Sequence, residues 1–230
     1  MKAYIITIKG HLLSEAASDT CIMSHKNVKN DFDIEVHDAI TPIETGDVMK
    51  KYNIEWNYPW DGVQLDIPTG LKKSAYRTED PLARIACALS HYELWLKCAE
   101  GEALMVLEHD ARFMHKVPYE TILDTKFNII GLNDPIGATR RARQFHDRVQ
   151  NATKIITPVP NIDSFDIPQG LAGNSAYIIK PDGAKKMMEL TQEFGAWPND
   201  ALMCKQLYQG LASSKIYYTK VQGTPSTTSL

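Results

Sequence analysis

Three titratable side chains, Glu108, His109 and Asp110, directly follow the apolar run ALMVL at residues 103–107. Such a short apolar run is typical of a buried strand, and in an extended chain Glu108 and Asp110 point to one side and His109 to the other. Two neighbouring carboxylates repel each other unless a positive group lies between them. A hard divalent cation would meet that need and could also hold diphosphate oxygens. The alternative is a turn of solvated carboxylates, or of carboxylates paired with Arg112.

An alternation of strands and helices must position these acids. Such alternation predicts an α/β fold in which helices flank a mostly parallel central sheet, with ligands beyond the carboxyl ends of the strands. The sequence patterns predict strands at 3–8, 32–39, 103–110, 126–134, 153–159 and 173–180, and helices at 12–26, 81–100, 181–194 and 199–209.

Composition excludes several classes of protein. The 230 residues fit one domain spanning 1–230, and 43% of them are hydrophobic, enough for a sizeable core. The net charge of -3 argues against a protein that mainly coats nucleic acid. We expect a cytoplasmic location, because no apolar run is long enough for a membrane span and the N-terminus lacks a signal-peptide cleavage site. The four cysteines form no CxxC pair, so a zinc site is not expected.

Two segments depart from this alternation. Residues 42–80 are rich in turn-forming residues and contain Trp56, Tyr58 and Trp60, which predicts a long aromatic-rich loop over the edge of the sheet. The aromatic side chains either serve function or form a small core that pins the loop. Residues 221–230 are polar and predict a tail that is mobile or folds over a site.

The stretch CALSHYELW (87–95), followed by ALMVLEHDARF (103–113), resembles glycosyltransferase family 25. That family includes lipooligosaccharide and collagen galactosyltransferases. AYIITIK, HDA, NSAYIIKPDGAKKMMEL and WPNDALM are similar to further family segments, so the resemblance extends over most of the chain. It implies a GT-A-like nucleotide-sugar transferase fold, a UDP-sugar donor, and a Mn²⁺ or Mg²⁺ ion held by an acid pair.

The resemblance also assigns site residues, with some departures from the family pattern. The metal ligands fall on Glu108 and Asp110, with His109 replacing a middle acid. Arg84 stands where the family has a glutamate, and Ala86 replaces a glycine. The residues assigned to the nucleotide-sugar are Thr7, Lys9, Asp38, Ser90, His91 and Glu108.

Transfer of a sugar to a hydroxyl with inversion requires a general base, usually a carboxylate. Asp200 in WPND is the main candidate because the similar family element carries an aspartate there; a helix cap is the alternative. Asp134 is a weaker alternative base. His91 is the second catalytic candidate, or else a hydrogen-bonded contact between a helix and a strand.

The segment ATRRARQFHDRVQNATK (138–154) contains Arg140, Arg141 and Arg143, which predict binding of an anionic acceptor unless they form a solvated face. The acceptor could be a phosphorylated lipooligosaccharide, an anionic membrane surface or nucleic acid. Three functions follow. The first is a glycosyltransferase acting on a lipooligosaccharide-type glycan. The others are a DNA-modifying glycosyltransferase acting on hydroxymethylated cytosine, and a non-catalytic nucleotide-sugar binding protein.

Overall fold

The computed structural model describes residues 1–138, 141–223 and 227. Most of the predicted elements are present in those residues, with boundaries shifted by a few positions. The strands are β1 Lys2–Thr7, β2 Ile34–Asp38, β3 Val63–Asp66, β4 Leu71–Ser74, β5 Leu104–Glu108, β6 Ala111–Phe113, β7 Ile129–Gly131, β8 Ile156–Pro158, β9 Ala176–Ile179, β10 Leu211–Ser214 and β11 Thr219–Val221. The helices are α1 Leu12–Asn27, α2 Thr45–Tyr52, α3 Pro81–Ala99, α4 Tyr119–Leu123, α5 Ala142–Gln150, α6 Pro181–Phe194 and α7 Asn199–Leu202.

A seven-stranded sheet in the order β2-β1-β5-β9-β7-β10-β8 forms the centre of the molecule. β2, β1, β5, β7 and β10 run in one direction, whereas β9 and β8 run in the opposite direction. The predicted α/β fold with a mostly parallel sheet is therefore confirmed. Because β9 is antiparallel to both of its neighbours, its amino end lies at the same edge as the carboxyl ends of β1 and β5.

The two faces of the sheet bury separate apolar clusters. Alternate residues of a strand point to opposite faces. Tyr4 and Ile6 therefore pack with side chains of α3 and α6, whereas Ala3 and Ile5 pack on the face covered by α1. The buried interior strands are nearly continuous in apolar residues, as expected for strands covered on both sides.

Helix α3 carries the largest share of the candidate site. Its first turn is fixed by Asp80, whose carboxylate accepts a hydrogen bond from the Leu82 N–H at 2.9 Å, and by Pro81 at the first helical position. Leu89 and Trp95 anchor the buried face against the sheet and α6. This anchoring gives the polar residues of the same helix fixed positions.

The segment 42–80 is not a loop throughout, so this prediction was wrong. A 3-10 turn at Pro42–Glu44 leads into α2, and β3 pairs with β4 as an antiparallel hairpin whose turn contains Gly70 at φ +70°. Of the aromatic residues, Trp56 packs partly buried against the main core, whereas Trp60 is exposed. Trp56 and Trp60 stack with ring centroids 5.0 Å apart, and Tyr58 is buried against the main core.

A buried ion pair lies within this hairpin, and its lysine also contacts residues outside the hairpin. Lys73 is fully buried, and its Nζ donates to Asp66 Oδ1 at 2.6 Å and to the Asn57 carbonyl at 2.7 Å. The ammonium also lies 4.7 Å from the ring centroid of Trp197. Burial raises the pKa of Asp66, but hydrogen bonds from Lys73 and Thr69 outweigh it, so this pKa lies below its ordinary value.

Replacing Asp66 by alanine should lower the free energy of unfolding by about 3 kcal/mol, because a buried ammonium would lose its counter-ion. Urea denaturation at pH 7 measures this. The matched control is Asp166→Ala, which lies outside the hairpin and removes the partly exposed ion pair between Asp166 and Lys72 of β4 at 2.7 Å. That variant should change stability far less, because the charges of an exposed ion pair are screened by water. Equal losses in both variants would contradict the assignment.

The helix predicted at 199–209 is shorter in the structure. It ends at Leu202, because Met203 leaves the helical conformation and Cys204 forms an isolated bridge with Gly170. Within the described part of the chain, no helix combines the length and the apolar character needed to cross a membrane.

Candidate functional site

A cavity of about 470 Å³ opens at the edge of the sheet where β1 and β5 end and β9 begins. This is where ligands bind in open α/β sheets. Its walls come from segments far apart in sequence, so only the folded chain creates it. Its polar lining includes Thr41, Arg84, Cys87, Ser90, His91, Glu108, His109, Asp110, Asn174, Ser175, Asn199, Asp200 and Thr227.

The acid pair lies in this cavity as predicted, but its local geometry differs from an extended chain. β5 ends at Glu108, and His109 and Asp110 form a turn into β6. Asp110 Oδ1 is buried and has no hydrogen-bond partner among the described residues. Burial, together with the charge of Glu108, raises the pKa of Asp110 to about 7. A buried carboxylate oxygen without a donor, beside a second carboxylate, fits a cation.

The carboxylate of Glu108 is within hydrogen-bond distance of His91 on α3. His91 Nε2 lies 3.2 Å from Glu108 Oε1, and His91 Nδ1 lies 2.8 Å from the hydroxyl of Tyr177 on β9. Burial raises the pKa of Glu108, but the hydrogen bond with His91 and the positive charge of nearby groups, including Arg84, together outweigh it, so this pKa is lowered. His91 is thus a buried contact between α3 and two strands, and it also lines the cavity.

Gln222 fixes the turn that carries Asp110. Its backbone N–H donates to the Asp110 carbonyl at 2.8 Å, and its side-chain amide donates to the carbonyls of Ala111 and Ala17 at 2.9 Å each. β11 pairs with β6 immediately before it. The described residues of the predicted tail, 221–223 and 227, thus fold against the site, whereas 224–226 and 228–230 lie outside the described residues.

Asp200 lies on α7 and lines the same cavity. Burial raises its pKa, while the positive charge of Arg84 and a hydrogen bond with Tyr76 oppose that shift. Its alternative role as a helix cap is wrong, because α7 has no side-chain cap and Asp200 is its second residue. Asp134, the weaker candidate base, instead accepts the N–H of Ile136 in a local turn and does not line the cavity.

Three neutral polar residues of the cavity were not identified from the sequence. Asn174 Oδ1, Ser175 Oγ and Asn199 Nδ2 are buried and have no hydrogen-bond partner among the described residues. Unpaired buried polar atoms are costly, and their concentration in one cavity indicates that they serve a polar ligand.

Arg84 was noted in the sequence only as a departure from the family pattern. It lines the cavity with its Nε 3.2 Å from Thr78 Oγ1 and its guanidinium carbon 5.1 Å from the ring centroid of Tyr76. Arg84, Cys87 and His91 stand at i, i+3 and i+7 of α3, the spacing of one helix face. That spacing is the signal that could have identified Arg84.

The other residues assigned to the nucleotide-sugar lie elsewhere or have structural contacts. Ser90 lines the cavity, but its hydroxyl accepts the N–H of Ile40 at 2.9 Å and so fixes the 39–42 wall. Thr7 points towards α1, where its hydroxyl lies 2.6 Å from that of Ser18. Lys9 and Asp38 form an exposed ion pair at 3.6 Å, and neither residue lines the cavity.

Of the three arginines, the two that the structure describes, Arg141 and Arg143, do not line the cavity. Arg140 lies outside the described residues. Arg141 pairs with Asp163 at 3.1 Å and donates to the Ile162 carbonyl. Arg143 is an exposed residue of α5. Acceptor binding by these residues stays a prediction.

The profile of glycosyltransferase family 25, described as an LPS biosynthesis protein, matches residues 13–203. No curated protein matches the chain significantly. Among solved structures, the galactosyltransferase LgtC in complex with donor and acceptor sugar analogues is similar at 9% identity and a TM-score of 0.49, over 98% of this chain and 88% of that one. Mouse xyloside xylosyltransferase 1 is similar at 9% identity and a TM-score of 0.43, over 91% and 80% of the two chains. Because the family profile spans most of its length, the chain belongs to glycosyltransferase family 25.

Proposed function

We propose that this protein is a metal-dependent glycosyltransferase that moves one sugar from a UDP-sugar to a hydroxyl of a larger glycan acceptor, with inversion. One observation carries the proposal. Asp110 presents a buried carboxylate oxygen without a partner, next to Glu108, in a cavity of about 470 Å³. That volume is typical of sites that hold a small ligand.

Glu108 and Asp110 would hold the cation. Their oxygen donors suit Mn²⁺ or Mg²⁺. A bound divalent ion would offset the negative charge that develops on the diphosphate leaving group. His109 lies between the two ligands in the sequence, where the family pattern has a third acid. Unlike that acid, it adds no negative charge to the site.

Asp200 is the proposed general base. It accepts the proton of the acceptor hydroxyl as that oxygen attacks the anomeric carbon and the bond from that carbon to the diphosphate breaks. Its raised pKa suits this role, because a base is most effective when its pKa approaches the working pH while it is still ionised.

Asn174, Ser175 and Asn199 are proposed to bind sugar hydroxyl groups. An amide oxygen, a hydroxyl and an amide nitrogen together provide both acceptors and donors, as a polyhydroxylated ligand requires. Their buried positions in the same cavity as Asp200 support this role.

A lipooligosaccharide-type glycan is the proposed acceptor, because the family is one of LPS biosynthesis. The DNA-modifying alternative has less support, since Arg141 is already paired with Asp163 and the net charge is -3. The non-catalytic alternative is weaker because the acid pair and Asp200 lie in one cavity.

Incubation with UDP-galactose, UDP-glucose or UDP-N-acetylglucosamine and deacylated lipooligosaccharide should add the mass of one sugar to the glycan. Addition of EDTA should abolish transfer, because the acid pair would lose its cation, and excess Mn²⁺ should restore it. Hydroxymethylcytosine DNA is tested as a second acceptor in parallel, and mass spectrometry measures the mass added to each acceptor. Transfer at full rate in EDTA would contradict metal dependence. Modification of the DNA alone would contradict the glycan acceptor.

A further inference from the structure

A chain of three hydrogen bonds runs behind Glu108 and takes no part in the proposed reaction. Trp95 Nε1 lies 2.9 Å from the Tyr177 hydroxyl, which lies 2.8 Å from His91 Nδ1, and His91 Nε2 lies 3.2 Å from Glu108 Oε1. Trp95, Tyr177 and His91 are at most 2% exposed, so bulk water does not reach the two bonds that join these three residues. α3 supplies two members of the chain, and β9 and β5 supply one each.

The chemistry of the first member sets the direction of the hydrogens. An indole N–H only donates, so the Tyr177 oxygen is the acceptor of the Trp95 bond. The single hydroxyl hydrogen of Tyr177 is then available for His91 Nδ1, which must carry no hydrogen in order to accept it. In a neutral ring the remaining hydrogen resides on Nε2 and faces Glu108 Oε1. Any arrangement with a hydrogen on Nδ1 would leave the buried hydroxyl hydrogen of Tyr177 without its acceptor in this chain, which is costly.

We infer that Trp95 and Tyr177 are positioning residues for Glu108, acting through His91, which they hold in the Nε2–H tautomer. The resulting bond to Oε1 fixes the orientation of the carboxylate in the cavity. Hydrogen-bonded partners behind a metal ligand commonly affect metal affinity by 10-fold or more. The inference rests on the proposed metal-binding role of Glu108 and assigns His91 to positioning rather than to proton transfer.

The same geometry argues against a different metal centre. A sulfur, a nitrogen and an oxygen from Cys87, His91 and Glu108 lie within 4.8 Å of one another, a grouping that could hold a metal ion. A metal-bound nitrogen carries no hydrogen, however, whereas the chain from Trp95 places a hydrogen on His91 Nε2. We therefore assign this grouping to the support of Glu108.

The test compares the tautomer of His91 with the affinity for Mn²⁺. Protein with ¹⁵N-labelled histidine is studied by NMR without metal, and the His91 signals are identified by their loss in His91→Gln. The wild type should show a protonated Nε2 and an unprotonated Nδ1. Tyr177→Phe should abolish this fixed pattern and weaken Mn²⁺ binding about 10-fold by calorimetry. Trp95→Phe removes the bond that orients the Tyr177 hydroxyl, so it should give a mixture of His91 tautomers and weaken binding less, about threefold.

Tyr92→Phe is the matched control. It removes another buried hydroxyl from α3, one that accepts a bond from Gln192 at 3.4 Å and does not belong to the chain. Tyr92→Phe should change neither the tautomer of His91 nor the affinity for Mn²⁺. A wild-type His91 that carries its hydrogen on Nδ1 would overturn the inference, and this result does not depend on whether Tyr177→Phe folds. A folded Tyr177→Phe protein with unchanged His91 tautomer and unchanged Mn²⁺ affinity would overturn it as well. The predicted tautomer in a wild type that binds no Mn²⁺ would instead refute the metal role of Glu108.

Discussion

Replacement of Asp110 by asparagine is expected to abolish Mn²⁺-dependent transfer and, at the same time, to stabilise the metal-free protein at pH 8. The loss of activity follows because an amide cannot supply the second negative charge to the cation. We expect at least a 100-fold loss of kcat/KM, and calorimetry should detect no Mn²⁺ binding at concentrations that saturate the wild type.

The gain in stability follows from the raised pKa of Asp110. Folding raises this pKa from 3.8 to about 7, first through burial and then through the charge of Glu108. Between these values the folded protein binds more protons than the unfolded chain, so the stability contributed by this group falls as pH rises. At pH 8 the ionised side chain is therefore destabilising, and asparagine should raise the free energy of unfolding by up to about 4 kcal/mol.

Urea denaturation in EDTA at pH 8 and near pH 4 measures this effect, and the gain should shrink at the lower pH. Asp61→Asn, at an exposed position, is the control and should change neither stability nor Mn²⁺ binding. Added Mn²⁺ should stabilise the wild type but not the Asp110 variant. An Asp110→Asn protein that is less stable at pH 8, or that retains full activity, would contradict this account.

Replacement of Asp200 by asparagine is expected to lower kcat by about 10² to 10⁴, since the acceptor hydroxyl would lose its base. Affinities for Mn²⁺ and UDP-sugar should stay within about threefold, because Asp200 is not a proposed ligand of either. Stopped-assay kinetics measures kcat, and calorimetry measures the affinities for Mn²⁺ and UDP-sugar. Asp147→Asn, at an exposed position of α5, is the control. An Asp200 variant with unchanged kcat would show that another group is the base.

The pH profile gives a second check on Asp200. Only the ionised carboxylate can accept a proton, so wild-type kcat should rise with pH through a pKa that lies above the ordinary value for aspartate, because burial raises it. Tyr76→Phe should move that rise to higher pH, since the hydrogen bond of Tyr76 favours the charged form. A shift to lower pH would exclude Asp200 as the titrating group.

Much of the site followed from local sequence. The end of an apolar run placed Glu108 at the sheet edge, and the helix predicted at 81–100 carries His91. The family resemblance selected Asp200, and the profile match over 13–203 confirms the family. These features depend on residues close together in the chain, or on motifs, which a single sequence displays.

The rest depended on the direction of strands and on distant contacts. An apolar strand has the same pattern in either direction, so the sequence did not reveal that β9 is antiparallel. Its orientation brings Asn174 and Ser175, which precede it, into the cavity. The turn at His109–Asp110 lacks glycine and proline, the usual turn signals. Gln222, whose hydrogen bonds fix this turn, lies more than 100 positions away in the sequence.

The buried ammonium of Lys73 has a practical consequence. An amine-reactive reagent can modify this group only when the hairpin opens, because the side chain has no exposed surface in the closed form. The rate of modification at Lys73, followed by peptide mass mapping, therefore reports how often the hairpin of β3 and β4 opens. Exposed Lys72, its neighbour in β4, provides the internal standard for reagent activity in the same peptide.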